Sequence, residues 1–501
     1  MKTFSYLLWL IWLVVAGGCH SPRTNAGTLV VALEANPTNF DPRFARDIYS
    51  DNVNKLVYDG LFRVDRSGRP VPRLVAAYTA ETPVSWHMLL RPGVRFHDGT
   101  PLTARDVART FEIILDPDSV SPLRGTFDNI ESIEVLGDYE FRFRLKQARA
   151  SFLSDLTIGI PPAHVAPDTL KRTPVGTGPY RLAGYIPSEK VVLEAVEEGG
   201  NWPPPAMRRV VMQVIPNETS RVLGLLHGSV DLAINNITPL YARHLGDKGF
   251  QVVTGPGANY TYLAFNLRDP VLKDPRVRQA FAHAIDRDRL VHYRLRGMAS
   301  VATGYLPGFH WAWRQPSVTY GFDPDRARSL LGEAGYPGGI EVEWKTSTNK
   351  EALRNIEVMQ ESLAAVGIRV KVKSYEWAAL FDQIVRGDFQ VFTLSWVAIA
   401  DPDMMYSIFH SRETPDRGGK NRGYYSSPEV DRLLEDARTE IDPERRAGLY
   451  GEVQEITARD LPYVPLFWRD NIAVAQPGIR GVEPDPAASF WMIENIRKEA
   501  R

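Results

Sequence analysis

The chain opens on one apolar run and then breaks into short patterned segments. Residues 1–18, MKTFSYLLWLIWLVVAGG, set a single Lys ahead of about a dozen mostly apolar positions and close on Ala16-Gly17-Gly18, the layout of a secretory signal. Crossing a ~30 Å hydrocarbon core takes roughly 20 residues, more than this run supplies, and no later stretch approaches ~18 uninterrupted apolar positions. Residues 20–27 are small and polar and suit a flexible tether. Buried strands are predicted at Thr28–Leu33, 191–195 and 210–215. Hairpins are predicted at 86–96 and 133–145, the second turning at Gly137-Asp138. Thr103 caps a helix running through Leu115, with Asp106 in its first turn. Asp274-Pro275 opens a helix whose Val277, Ala280, Phe281, Ala284 and Ile285 share one face. Asp323-Pro324 opens another, with Ala327, Leu330, Leu331 and Ala334 inward and Gly335 as its left-handed stop. Residues 351–366 and 442–459 also read as helices, the second weakened by Gly448 and Gly451. Strands and helices alternate most regularly from about Val318 onward, as in an α/β domain.

Removing the signal leaves about 480 of 501 residues, more than one hydrophobic core usually serves, so two or three domains are expected. With 44% hydrophobic and 24% charged residues and a net charge of −1, the chain is an ordinary globular one. It lacks the basic patch that a nucleic-acid partner calls for. Cys19 is the only cysteine, so no disulfide and no thiolate chemistry are expected in the mature fold. There is no G-x-S-x-G elbow, zinc helix, P-loop or Gly-rich dinucleotide turn. The ten histidines are scattered; His292 and His310 stand alone, His283 lies in an amphipathic helix, and His410 has no evident companions, so neither a metal nor a cofactor is expected. Asp401 and Asp403 are spaced for acid/base work, although Pro402 between them is common turn chemistry.

Cys19, directly after the small triplet, resembles the acylation site of bacterial lipoproteins, where the thiol carries a diacylglycerol; Ala16 stands where that motif prefers Leu. Five blocks resemble the solute-binding proteins of bacterial ABC importers, in the large oligopeptide/dipeptide/nickel-binding group (family 5). They are LLRPGVRFHDGTPLTARDV (89–107), VGTGPY (175–180), NLRDPVLKDPRVRQAFAHAIDRDRLV (266–291), the helix segment 322–335, and NRGYYSSPEVDRLL (421–434). Physically they are mainly fold determinants. Pro92-Gly93 and Asp98-Gly99 are turn dipeptides. Gly176 and Gly178 are expected to take positive φ, with Pro179 fixing the exit.

The resemblance implies an α/β, two-lobed, periplasmic-binding-protein type II fold with an extra domain inserted in the first lobe. Lobe I would combine 28–57, 177–263 and 465–501, the inserted domain would be 58–176, and lobe II 264–464. It further implies a non-enzymatic receptor, lipid-anchored in the periplasm or on the outer face of the cell membrane. The receptor would be a monomer that captures peptides or peptide-like solutes and delivers them to an ABC permease and its ATPase. The rival readings are a sensory or chaperone-like lipoprotein using the same cleft without transport, and an exported hydrolase. In peptide-binding relatives a Trp three residues ahead of an Asp lines the cleft, and that Asp holds the α-ammonium. Here Trp396 is followed at that spacing by Ile399, and the nearest carboxylates are Asp401 and Asp403. Either Asp401 shifts into the role or the ligand has no free amine. Arg46, Asp47 and Ile48 resemble a segment that lies beside the peptide backbone. Phe467 and Trp468 match an aromatic hinge strand, Tyr260 and Tyr262 lie on the other crossing strand, and Arg422 completes the candidate contacts.

Overall fold

A computed structural model describes residues 27–196, 200–397 and 401–499. Its backbone is an 11-stranded sheet through which two long strands run, Gln251–Phe265 and Tyr463–Ala475. On one side of this antiparallel pair come Leu232–Ile234, Thr28–Leu33, Arg209–Val214, Lys190–Ala195 and Tyr180–Ile186. On the other come Val391–Trp396, Ile340–Ser347 and Ile368–Tyr375, while Ala299–Val301 pairs with the second crossing strand. The sheet is thus shared by two lobes, and each crossing strand gives one end to each.

The junction between the lobes is visible in the ladder. Residues 251–255 pair with 471–475 and residues 259–264 with 463–469, with a register break between Gly255 and Asn259. A Cβ on Gly257, inside the break, would lie 2.1 Å from the Arg469 carbonyl oxygen. Only glycine permits that approach, so a bulge rather than a regular ladder joins the two halves.

Each lobe buries both faces of its part of the sheet. Leu29, Val31, Val210 and Met212 pack on one face of the first lobe, and Ala32, Leu225, Ala233 and Val474 on the other. In the second lobe one core gathers Phe265, Phe281, Trp344 and Leu363, and the other Tyr260, Tyr262, Phe392 and Tyr450. A fifth core belongs to a separate four-stranded antiparallel sheet, in the order Val75–Thr82, Ser85–Leu90, Glu140–Leu145, Ile130–Val135. The helix Ala104–Leu115 covers it, with Phe111 edge-on to Phe127 at 5.0 Å and Phe143 at 5.2 Å.

Local signals explain most of the elements. Asp274, Asp323 and Asp442 each accept a hydrogen bond from the backbone N–H two or three residues on, with Pro as the first helical residue. The Asp106 carboxylate accepts from the Thr103 N–H at 2.7 Å. Gly335 ends its helix at φ 91°. The hairpin at Gly137-Asp138 forms as predicted, between Ile130–Val135 and Glu140–Leu145. The hairpin expected at 86–96 does not form. Its strand ends at Leu90, Gly93 takes φ 80°, and the partner is instead Val75–Thr82, a mostly exposed strand without an apolar run to announce it. Gly176 and Gly178 are not in the positive-φ region. They are needed because an added Cβ would meet the Val57 carbonyl at 2.0 Å or the Leu56 carbonyl at 2.6 Å. The helix Pro443–Asp460 runs unbroken through Gly448 and Gly451. Cys19 and the signal segment lie outside the described residues.

Candidate functional site

Three cavities open around the junction of the lobes. One of about 680 Å³ lies against the second lobe, lined by Thr261, Ser347, Asn349, Glu351, Trp377, Ser395, Val397, Phe467 and Arg469. A second, about 370 Å³, runs beside the hinge between Glu34, Arg221, Asn235 and Thr238 of the first lobe and Met298 and Glu351 of the second. The third, about 500 Å³, lies between the helix Ile48–Val57 and the inserted domain and is lined by Arg46, Asp47, Ile48, Ser154, Asp155 and Trp491. Glu351 and Arg469 border the first two cavities. Arg469 Nη2 donates to Glu351 Oε1 at 2.8 Å, tying the hinge strand to the start of the helix Lys350–Ala364. Large apolar side chains stand exposed around these spaces, with Ile48 47% exposed on one side and Trp377 57% and Val397 69% on the other. Exposed apolar groups among polar ones in a concave space mark a candidate binding surface.

Strand parity decides which candidates reach this surface. Ser395, Thr261 and Phe467 are aligned across three neighbouring strands and line the 680 Å³ cavity. One step along, Trp396, Tyr260 and Trp468 form the next row and point the other way. Tyr260, Tyr262 and Trp468 are therefore corrected from cleft contacts to core. Tyr260 stacks on Trp468 at 5.0 Å and Tyr262 on Tyr463 at 4.6 Å, all within the second lobe. The space beside Tyr260 and Tyr305 is only about 40 Å³. Burial pushes the Tyr262 hydroxyl up to about 12, against the pull of the Arg422 charge. Trp396, at the end of its strand, is half-buried, parallel to Tyr262 on one face and covered by the Arg422 guanidinium at 4.8 Å. Ile399 lies outside the described residues.

Arg46, Asp47 and Ile48 fall together at the start of the helix Ile48–Val57. Arg46 Nη2 donates to the Val120 carbonyl at 2.9 Å. Asp47 is the helix cap: its carboxylate accepts from the Ser50 N–H at 2.8 Å and from the Ser50 and Thr38 hydroxyls at 2.7 Å each. Burial raises its carboxyl, and these bonds outweigh that and hold it below the usual range.

Asp401 is not on the cleft wall. It is enclosed where the inserted domain meets the second lobe, accepting from Arg446 Nη2 at 2.7 Å, Ser154 Oγ at 2.7 Å and the Asp403 N–H at 2.9 Å. Burial favours its neutral form, but Arg446 and these donors keep the carboxyl below its ordinary range. Asp403 pairs with Arg438 at 3.1 Å and accepts from Ser151 at 3.3 Å. Neither acid is placed to receive a ligand amine, and as a catalytic pair both are neutralised by arginines. The expectation that Asp401 replaces the usual amine-holding Asp is corrected accordingly. Residues that mattered here and went unread, namely Arg446, Ser154, Thr261, Glu351 and Arg469, carry no motif and lie far apart in the chain. Among the described residues, no group of three or more His, Cys, Asp or Glu is arranged to hold a metal, and no helix is long and apolar enough to cross a membrane.

Two lobes on a shared pair of strands, with a cavity beside the hinge between them, are the architecture of a solute receptor. A model of the family described as bacterial extracellular solute-binding proteins, family 5 Middle, matches residues 69–416, and the chain belongs to this family. It is 27% identical to the oligopeptide-binding protein AppA of Bacillus subtilis over 93% of this chain and 91% of that protein. It is also 27% identical to the glutathione-binding protein GsiB of Salmonella typhi, over 96% of this chain and 97% of that one. The crystal structure of AppA with a nonapeptide superposes with a TM-score of 0.73 at 26% identity, over 95% of this chain and 99% of that one. The substrate-binding protein CtaP of Listeria monocytogenes has the same fold, with a TM-score of 0.84 at 23% identity over 95% and 99% of the two chains. The fold is the two-lobed type II arrangement of periplasmic binding proteins. The protein works outside the cytoplasm and captures a solute for import by an ABC transporter.

Proposed function

We propose that the solute is a peptide or peptide-like compound, held between the lobes and released unaltered to the permease. The observation that carries this reading is the cavity of about 680 Å³ beside the crossing strands, where Trp377 and Val397 stand exposed among polar groups. Relatives named for oligopeptides and glutathione support the class. Arg46, Ile48 and Phe467, which line the cavities around the junction of the lobes, are the proposed contacts. The first lobe with the inserted domain 58–176 is one unit and the second lobe the other, swinging about Gly255–Asn259; the lobe boundaries expected at 263/264 and 464/465 shift to this register break, because Tyr260, Tyr262, Phe467 and Trp468 pack in the cores of the second lobe. Closure requires a ligand with differential affinity for the closed form. Shifting a 1:99 preference to 99:1 takes about 5.5 kcal/mol, and a micromolar ligand offers about 8 kcal/mol in total, so binding energy suffices. The protein is a monomer without catalytic turnover, held to the membrane through a lipid on Cys19. Small-angle scattering of the purified protein with a ligand library tests this reading, and compaction with a peptide is the expected result. No binding and no compaction across peptides, opines, sugars and metal chelates would overturn it.

A further inference from the structure

The 680 Å³ cavity is lined by hydroxyls and amides more than by charges. Its volume lies in the range of ~300–1,000 Å³ that encloses small organic ligands. Strand parity puts the Thr261 and Ser395 hydroxyls on its floor, 2.8 Å apart, where either can donate to the other. One hydrogen is spent between them, so the pair keeps an O–H and several lone pairs for a ligand. Ser347, Thr348 and Asn349 add a second polar edge, where the strand Ile340–Ser347 leads into the helix Lys350–Ala364. The Asn349 side-chain oxygen accepts from the Glu351 and Ala352 N–H groups at 2.9 and 3.0 Å, which leaves its –NH2 as a donor. Among the described residues the ionisable groups of this wall are Glu351, Glu376 and Arg469. Glu351 and Arg469 neutralise each other, and the exposed Glu376 accepts from Thr348 at 3.1 Å. A free ammonium or carboxylate seated on the hydroxyl floor would lack an opposite charge, a costly arrangement. An uncharged group that both donates and accepts suits it. Beside these hydroxyls stands an aromatic face. The Trp377 ring is 57% exposed, lines the cavity, and is braced by Phe381, stacked at 5.9 Å with 28° between the planes.

We propose that this cavity takes a sugar ring of the solute, its C–H face against Trp377 and its hydroxyls bonded by Thr261, Ser395 and Asn349. It rests on the reading of a peptide-like ligand and narrows it to sugar–peptide conjugates. A sugar ring meets both demands of the wall at once. The hydroxyls round its edge donate and accept without charge, and the aliphatic hydrogens on its face pack on the electron-rich face of an aromatic ring. A charged peptide terminus meets neither demand, and a purely apolar side chain would strip water from the floor hydroxyls without replacing its hydrogen bonds.

The test is competition. The protein is equilibrated with an equimolar mixture of seryl tripeptides and the same tripeptides carrying O-linked N-acetylglucosamine on the serine, and the bound fraction is read by mass spectrometry. The expected result is enrichment of the sugar-bearing forms by about 10-fold or more. That preference should fall toward parity in Trp377→Ala and partly in Ser395→Ala, with melting temperatures showing that both variants fold. Equal or weaker retention of the sugar-bearing forms by the native protein, or a preference that survives Trp377→Ala, overturns the sugar subsite and leaves the peptide reading standing. Retention of no tripeptide, bare or sugar-bearing, overturns the peptide reading, and the subsite with it.

Discussion

Arg446 grips Asp401 through both guanidinium nitrogens, Nη2 to Oδ1 at 2.7 Å and Nη1 to Oδ2 at 3.2 Å, in a pair with side chains 6% and 12% exposed. Ser154 of the inserted domain completes the carboxylate's shell. The Ser154 bond therefore ties the inserted domain to an ion pair of the second lobe. The Ala150 N–H reinforces the contact, donating to the Arg438 carbonyl at 2.7 Å.

Removing one member of that pair leaves a buried charge alone, a loss of about 3–5 kcal/mol. Arg446→Met is expected to lower the unfolding free energy obtained from urea titration by that amount, and Asp401→Asn by less because its hydrogen-bonding capacity is partly kept. Ligand affinity measured well below the transition should change little in either variant. A large loss of affinity in folded Asp401→Asn would return this carboxylate to the binding site.

Asp155, beside this pair, predicts a pH effect. Burial pushes its carboxyl up to about 7, with Arg149 opposing and Asp401 and Asp403 adding to the rise, and its Oδ2 is buried without a hydrogen bond. The folded state thus keeps a proton that the unfolded state releases near 3.8. Stability then falls as pH rises between those values and is flat above, by up to about 4 kcal/mol at 1.36 kcal/mol per unit. Asp155→Asn is expected to melt higher than the native protein at pH 8 and to lose that advantage at pH 4.5. An advantage equal at both pH values would exclude the titration.

Gly257 sits at the register break, where a Cβ would lie 2.1 Å from the Arg469 carbonyl. Gly257→Ala forces the strands apart at the proposed pivot. Both a loss of stability of about 1–3 kcal/mol and reduced ligand-induced compaction in small-angle scattering are expected. Normal closure would move the pivot elsewhere.

Exposed cavity wall and buried core are expected to respond differently to truncation. Trp377→Ala removes an exposed ring on the cavity wall; stability should stay within about ±0.5 kcal/mol while affinity falls about 10-fold. Tyr262→Ala removes a core ring and should cost about 3–5 kcal/mol of stability. Calorimetric titration and thermal melts on both variants check the contrast.

Cys19→Ser should release the protein from membranes into the soluble fraction, because stable anchoring of such a chain depends on the acyl groups. Cell fractionation with immunoblotting reads the outcome. Unchanged membrane association would remove the lipid anchor.

Much of this protein follows from local chemistry. The Asp-Pro pairs at 274, 323 and 442 start helices because a carboxylate at the cap and a ring already at helical φ need no help from the rest of the chain. The export layout, the absence of enzyme motifs and the five ordered blocks likewise depend only on neighbours in sequence, and together they point to the family. The two-residue period also tells that Tyr260 and Tyr262 share one side and Thr261 the other. It does not tell which side is the crevice, because aromatic and small polar residues alike can line a cleft or pack in a core. Tertiary packing decided that, placing Tyr450 and Tyr463 against the tyrosines and leaving Thr261 and Phe467 to the cavity. It decided the role of Asp401 in the same way, since the arginine that claims it lies 45 residues along the chain and the serine 247 residues back. Such charges meet only once the lobe and the inserted domain have been brought together by their cores.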